Sequence, residues 1–179
     1  MLLGSDSWNA TVVERAATFP CDHLLEEPFD RLTRAVDIAA PAPVCFRWLC
    51  QLRVAPYSYD WVDNWGRQSP RGLEPGLDDL AVGQEILSIF TIAAFEPGRS
   101  ITATVQPKPG RLFGPLATTY AVGPRGHEAA RLVVRLDVGG ASFARRAIRP
   151  ALGWGDVVMM RKQLLTLKDL AERHARGAN

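Results

Sequence analysis

Ala130-Arg131-Leu132-Val133-Val134-Arg135-Leu136-Asp137-Val138, closed by Gly139-Gly140, alternates with period two: Ala130, Leu132, Val134, Leu136 and Val138 face one way, Arg131, Arg135 and Asp137 the other. That is the pattern of a half-buried strand, with the charged row expected in solvent. Beyond the glycine pair the period changes. Val157, Met160, Leu164, Leu167 and Ala171 recur at three- and four-residue spacing, an apolar helical stripe about four turns long. Arg161, Lys162, Lys168, Asp169, Glu172 and Arg173 occupy the solvated side. Residues 141 to 149 read as a further helical stretch, interrupted by Pro150 and Gly153. The C-terminal part is therefore a sheet strand followed by one long amphipathic helix.

Working back from that strand, the chain reads as a meander. Leu116, Thr118, Tyr120 and Val122 alternate with smaller residues before the turn Gly123-Pro124-Arg125-Gly126. Ile101, Ala103 and Val105 alternate with Thr102, Thr104 and Gln106, and Pro107 to Gly110 reads as a turn. Gln84 to Phe95 is apolar on both alternating sets, Ile86, Phe90 and Ile92 against Leu87, Ile89 and Phe95, as in a strand covered on both faces. Nearer the N-terminus, Leu32 to Ala39 is a first strand, and Pro41 and Pro43 open a helix with the stripe Val44, Trp48, Leu49 and Leu52, ended by Pro56. Residues 8 to 18 form a short accessory helix with Val12, Val13, Ala16 and Ala17 as its apolar positions, and an irregular acidic connection runs from Pro20 to Pro28.

Composition narrows the function classes. A chain of 179 residues, 47% hydrophobic, makes one domain with a sizeable core. A net charge of +2, from 21 basic and 19 acidic side chains, is too weak for a nucleic-acid footprint. No apolar run approaches the ~20 residues of a membrane span, and the N-terminus lacks the apolar core of a secretory signal. Cys21, Cys45 and Cys50 form no C-x-x-C pair, and His23, His127 and His174 lie far apart, so no zinc site or disulfide framework is indicated. Cys21-Asp22-His23 sets three donors side by side but has no second pair of ligands. Free thiols fit a reducing, cytoplasmic setting.

Between the first helix and the meander lies Pro56-Tyr57-Ser58-Tyr59-Asp60-Trp61-Val62-Asp63-Asn64-Trp65-Gly66-Arg67-Gln68-Ser69-Pro70-Arg71, four large aromatics with no helical or strand period. Each such ring needs apolar surroundings and a partner for its polar tip. Tyr57, Tyr59, Trp61 and Trp65 either line the mouth of a pocket or fasten the segment to the sheet. Asp60, Asp63, Arg67 and Arg71 either orient a ligand and assist proton transfer or satisfy one another and the backbone. Further ligand-facing candidates are Phe90 on the two-sided strand, Tyr120, Trp154 and Met160, a residue that stripe spacing equally places in the core. Tyr120 points either into a cavity or to the outer face.

Arg34-Ala35-Val36-Asp37-Ile38-Ala39-Ala40-Pro41-Ala42-Pro43-Val44, followed by Trp48-Leu49-Cys50-Gln51-Leu52, resembles the opening strand and helix of the START-like, helix-grip superfamily, also called SRPBCC, which includes polyketide cyclase/dehydrase and birch-allergen-like groups. Pro56 to Trp61, Asn64 to Arg67 and Leu80 to Gln84 look like an uncharacterised actinobacterial branch. The resemblance spans roughly residues 31 to 175 and implies an α+β fold: a curved antiparallel sheet wrapped around a long C-terminal helix, with residues 1 to 30 as an N-terminal extension to a ligand-binding domain at 31 to 179. The expected function is binding of a small hydrophobic, polycyclic or lipid-like molecule between sheet and helix. The alternatives are a cyclase/dehydrase-type enzyme acting on such a ligand and a non-catalytic interaction protein with a filled cavity. No catalytic set carries over, the histidines match no iron motif, and no cofactor, metal or nucleic-acid partner is implied.

Overall fold

The computed structural model describes residues 7–26, 29–59, 68–139 and 143–177. The strand at the centre of the pattern, β7 (Ala130–Gly139), is paired antiparallel on both sides, with Leu132 opposite Val36 of β2 (Phe29–Ile38) and Val122 of β6 (Leu116–Pro124). The remaining strands are β1 (Ser7–Trp8), β3 (Glu85–Ile86), β4 (Phe90–Glu96) and β5 (Ser100–Val105). They form a seven-stranded sheet of order β1-β2-β7-β6-β5-β4-β3, antiparallel except for the β1–β2 pair. The helices are α1 (Val12–Ala16), α2 (Ala42–Cys50), α3 (Pro107–Phe113) and α4 (Phe143–Gly177).

One face of the sheet is covered by α2 and α4. Val36, Ile101, Tyr120, Val122, Leu132 and Val134 are buried there against Trp48 and Leu49 of α2 and Leu164, Leu167 and Leu170 of α4. Fully burying an aliphatic side chain contributes ~1.5–3 kcal/mol, so this two-helix cover is the dominant stabilising contact of the fold. It follows from the stripe spacing of both helices. Pro41 and Pro43, at the cap and first turn of α2, hold the helical φ without giving up a needed N–H.

Several elements depart from the pattern-based expectation. Gln84 to Phe95 is two strands, because Leu87 (φ 54°) and Ser88 (φ 63°) adopt left-handed backbone and reverse the chain; neither is the glycine or asparagine that signals such a turn. Pro107 to Gly110 is the start of α3, its first turn closed by Gly110 N donating to the Gln106 carbonyl at 2.9 Å, and Gly114 (φ 90°) ends it. Helix α4 runs unbroken for 35 residues through Pro150 and Gly153, since a proline withholds one N–H and the flanking turns carry the helix across it. Helix α1 is confined to five residues behind a Thr11/Glu14 capping box, and Val12 and Val13, expected to be its apolar side, are 70% and 78% exposed.

The largest correction concerns the charged row of β7. Arg135 is fully buried and Arg131 nearly so, because the N-terminal segment crosses the outer face of the sheet over them. Arg135 Nη2 donates to the carbonyls of Glu14, Arg15 and Ala17 at 2.9–3.1 Å, and its guanidinium stacks 4.8 Å from the Phe19 ring centre. Arg131 pairs with Glu14 at 2.7 Å, holding that carboxyl down to about 2. The extension is thus fixed by arginines reaching its backbone and acids, not by an apolar helix face. No helix among the described residues is long and apolar enough to cross a membrane.

Candidate functional site

Where α4 passes the segment after α2, the surface opens into two clefts. The first, about 270 Å3, lies between Tyr57, Ser58, Ser69 and Arg71 on one side and Lys162, Leu165, Thr166 and Asp169 of α4 on the other. Lys162, Thr166 and Asp169 share one side of the helix through spacings of four and three. The second, about 500 Å3, is bounded by Trp48, Gln68, Arg71, Leu170, Arg173 and His174. Arg71 lines both, so the two adjoin at that residue. Small-molecule sites run roughly 300–1,000 Å3; the second cleft falls within that range and the first just below it.

Two rings join the clefts from beneath. Trp48 lines one and Tyr57 the other, and they meet edge to face, 6.2 Å between centres at 88°. Both are almost wholly buried. The Trp48 indole nitrogen has no hydrogen-bond partner among the described residues, an uncommon state for a buried donor. Tyr57 holds a left-handed backbone (φ 56°) that a bulky residue rarely adopts, at a cost on the order of 1–3 kcal/mol.

Under this floor a polar chain crosses the interior. The Tyr120 hydroxyl donates to Gln163 Oε1 at 2.6 Å, and Gln163 Nε2 donates to the Pro56 carbonyl at 2.6 Å. A sheet strand, the C-terminal helix and the start of the cleft-forming segment are therefore fixed to one another through a single amide. Met160 Sδ lies 3.7 Å from the same hydroxyl.

The charge at the cleft is uneven. Asp169 accepts from Arg173 through both carboxylate oxygens, at 2.9 Å each, and is neutralised. The side chains of Arg71 and Lys162, both exposed, make no hydrogen bond or ion pair among the described residues.

The expected site residues separate accordingly. Tyr57 lines the smaller cleft, and Tyr59 follows it, half-buried. Tyr120 faces the interior, and Phe90 and Met160 pack in or against the core. Trp61 and Trp65, with Asp60, Asp63 and Arg67, lie outside the described residues, as does the side chain of Trp154. Sequence reasoning left Lys162 and Asp169 on a bland solvated face and singled out neither Gln163 nor Thr166. Gln163 was findable: it stands in line with Leu167 and Leu170, a lone polar residue on an otherwise apolar row.

Across the sheet, the structure brings Asp137 to Cys21 and Asp22, with donor atoms within 4.8 Å of one another. Burial pushes the Cys21 thiol up to about 12, which opposes the thiolate a metal needs. The Arg135 guanidinium lies 3.9 Å from Asp22 Oδ1 and supplies the positive charge instead. His23 is exposed and stands apart from the cluster.

No family profile and no curated protein matches the chain. Among solved structures, the Zhui aromatase/cyclase from Streptomyces sp. R1128 superposes with a TM-score of 0.54 at 18% identity, over 85% of this chain and 99% of its own. The chain has the helix-grip fold. A Thermobifida fusca protein (TM-score 0.49, 17% identity, 82% and 93% covered) and norcoclaurine synthase from Thalictrum flavum (0.48, 10%, 93% and 95%) are also similar to this helix-grip chain.

Proposed function

We propose that this chain binds a small, largely apolar molecule in the cleft between α4 and the segments at Tyr57–Ser58 and Ser69–Arg71. The observation that carries the reading is Tyr57, a buried ring held in an unfavourable left-handed backbone at the cleft floor. Such strain persists only where surrounding structure over-determines it, and it concentrates at ligand clamps and active sites. A ring fixed in this way gives the cleft a rigid floor that loses little entropy on binding.

The likeness to an aromatase/cyclase is one of fold and supports a ligand-holding architecture. A cyclase-type reaction would further need an acid or base beside the ligand with a tuned pKa. Among the described residues, the two carboxyl groups moved furthest from their usual range, Glu14 and Asp137, lie on the opposite face of the sheet. Binding without conversion is therefore the simpler reading.

Leu165, 39% exposed at the cleft rim, provides the test. Leu165→Trp fills the opening without touching the core, so Nile red affinity is expected to fall about tenfold while stability stays within ~0.5 kcal/mol, the usual range for surface changes. Unchanged dye affinity in a folded variant would overturn the assignment of this cleft.

A further inference from the structure

We infer that the molecule taken by this cleft is an organic acid, its carboxylate held between Arg71 and Lys162 and its apolar body laid against Tyr57 and Leu165. This rests on the binding reading above and adds the ligand's charge. The four groups line one opening of about 270 Å3, which limits the body to a compact ring system. Across the two adjoining clefts, three cations, Arg71, Lys162 and Arg173, face a single carboxylate, Asp169. Arg173 already makes a two-point contact with Asp169, and Lys162 lies about two turns of helix before Asp169. Arg71 and Lys162 are left with no protein partner among the described residues, on opposite walls of one cleft.

Two cations facing each other across a narrow opening repel, and an anion between them removes the repulsion. The planar guanidinium of Arg71 matches a carboxylate's two oxygens, and the Lys162 ammonium adds a compact charge without directional demand. A neutral ligand would leave both uncompensated. The chemistry of the walls therefore selects an amphipathic monoanion over a purely apolar molecule.

The full-length protein is titrated with 2-naphthoic acid and, separately, with methyl 2-naphthoate, following naphthalene fluorescence at low salt and in 0.5 M sodium chloride. Apolar burial alone favours the ester, so tighter binding of the acid isolates the charge. The acid is expected to bind about tenfold more tightly than the ester at low salt, with the advantage falling in high salt as the exposed cations are screened. Arg71→Gln with Lys162→Gln should abolish the preference, so that the variant binds the acid no more tightly than the ester; both residues are exposed, and the salt series makes the same comparison with no variant. Ester binding as tight as the acid at low salt would overturn the inference and leave the binding reading standing. If neither compound binds, both fall.

Discussion

Gln163 does more than its neighbours on α4 because its amide is used at both ends. Replacing it with leucine, which suits the apolar row, strands the Pro56 carbonyl and takes from the Tyr120 hydroxyl its shortest partner. Each buried polar group left unsatisfied costs ~1–3 kcal/mol, so Gln163→Leu should lower unfolding stability by about 2 kcal/mol despite its greater hydrophobicity. Urea denaturation reads this directly, and a loss below ~0.5 kcal/mol would show that the node does not hold helix and segment together. Arg135 carries the opposite lesson. In the sequence it is one charge in an alternating row, and period two separates the faces of a strand without saying what covers each. Its burial depends on where residues 11 to 23 lie, a tertiary fact with no local signature.

At the scale of elements, the N-terminal extension is bound to the sheet by a titrating contact. Asp137 is fully buried, and its carboxyl is pushed up to about 6, first by desolvation and then by Asp22; Arg135 and Arg31 only partly offset this. A carboxyl whose pKa is raised above the usual 3.8 favours the docked state when protonated. That contribution is complete below about 3.8 and is lost as pH rises through about 6. Glu14, held down to about 2 by Arg131, works in the other direction: its contribution is fully present above 4.5 and disappears only as pH falls toward 2. Between pH 4.5 and 7 the Asp137 effect therefore stands alone among these two. Amide exchange in α1 and the turn at Pro20–His23, corrected for intrinsic rates, should quicken across that interval, and Asp137→Asn should flatten the change. Protection that increases with pH in the wild-type chain would contradict the buried-carboxyl account.

The elements differ in how openly the sequence announced them. Helix α2, strands β5, β6 and β7 and the stripe of α4 carry strong periodicity, and each forms where the pattern places it, with Leu164 and Leu167 buried as the stripe requires. The β3–β4 turn was hidden because Leu87 and Ser88 are not turn-formers, and Leu87 N is instead held by the Leu52 carbonyl at 2.8 Å from another part of the chain. Helix α3 was hidden because prolines and a glycine spell a turn locally, whereas Pro107 serves at a helix start.

For the whole molecule, the order of strand, helix, irregular segment, meander and terminal helix specified the helix-grip architecture, since each amphipathic element has one way to bury its face. The cleft was only half legible. Its wall at Tyr57–Ser58 and Ser69–Arg71 belongs to a stretch of sequence that stood out by its aromatics, but the facing wall is a set of ordinary surface residues on α4, some hundred positions later, and gains meaning only when the fold places it opposite. The central claim is that a small apolar molecule lodges between these two walls. Amide chemical-shift mapping of the full chain titrated with methyl 2-naphthoate tests it most directly. Saturable shifts should cluster at Ser58, Ser69, Arg71, Leu165 and Thr166, while Arg131 and Asp137 across the sheet stay in place; shifts gathered on the outer face, or none at saturation of the probe's solubility, would contradict it.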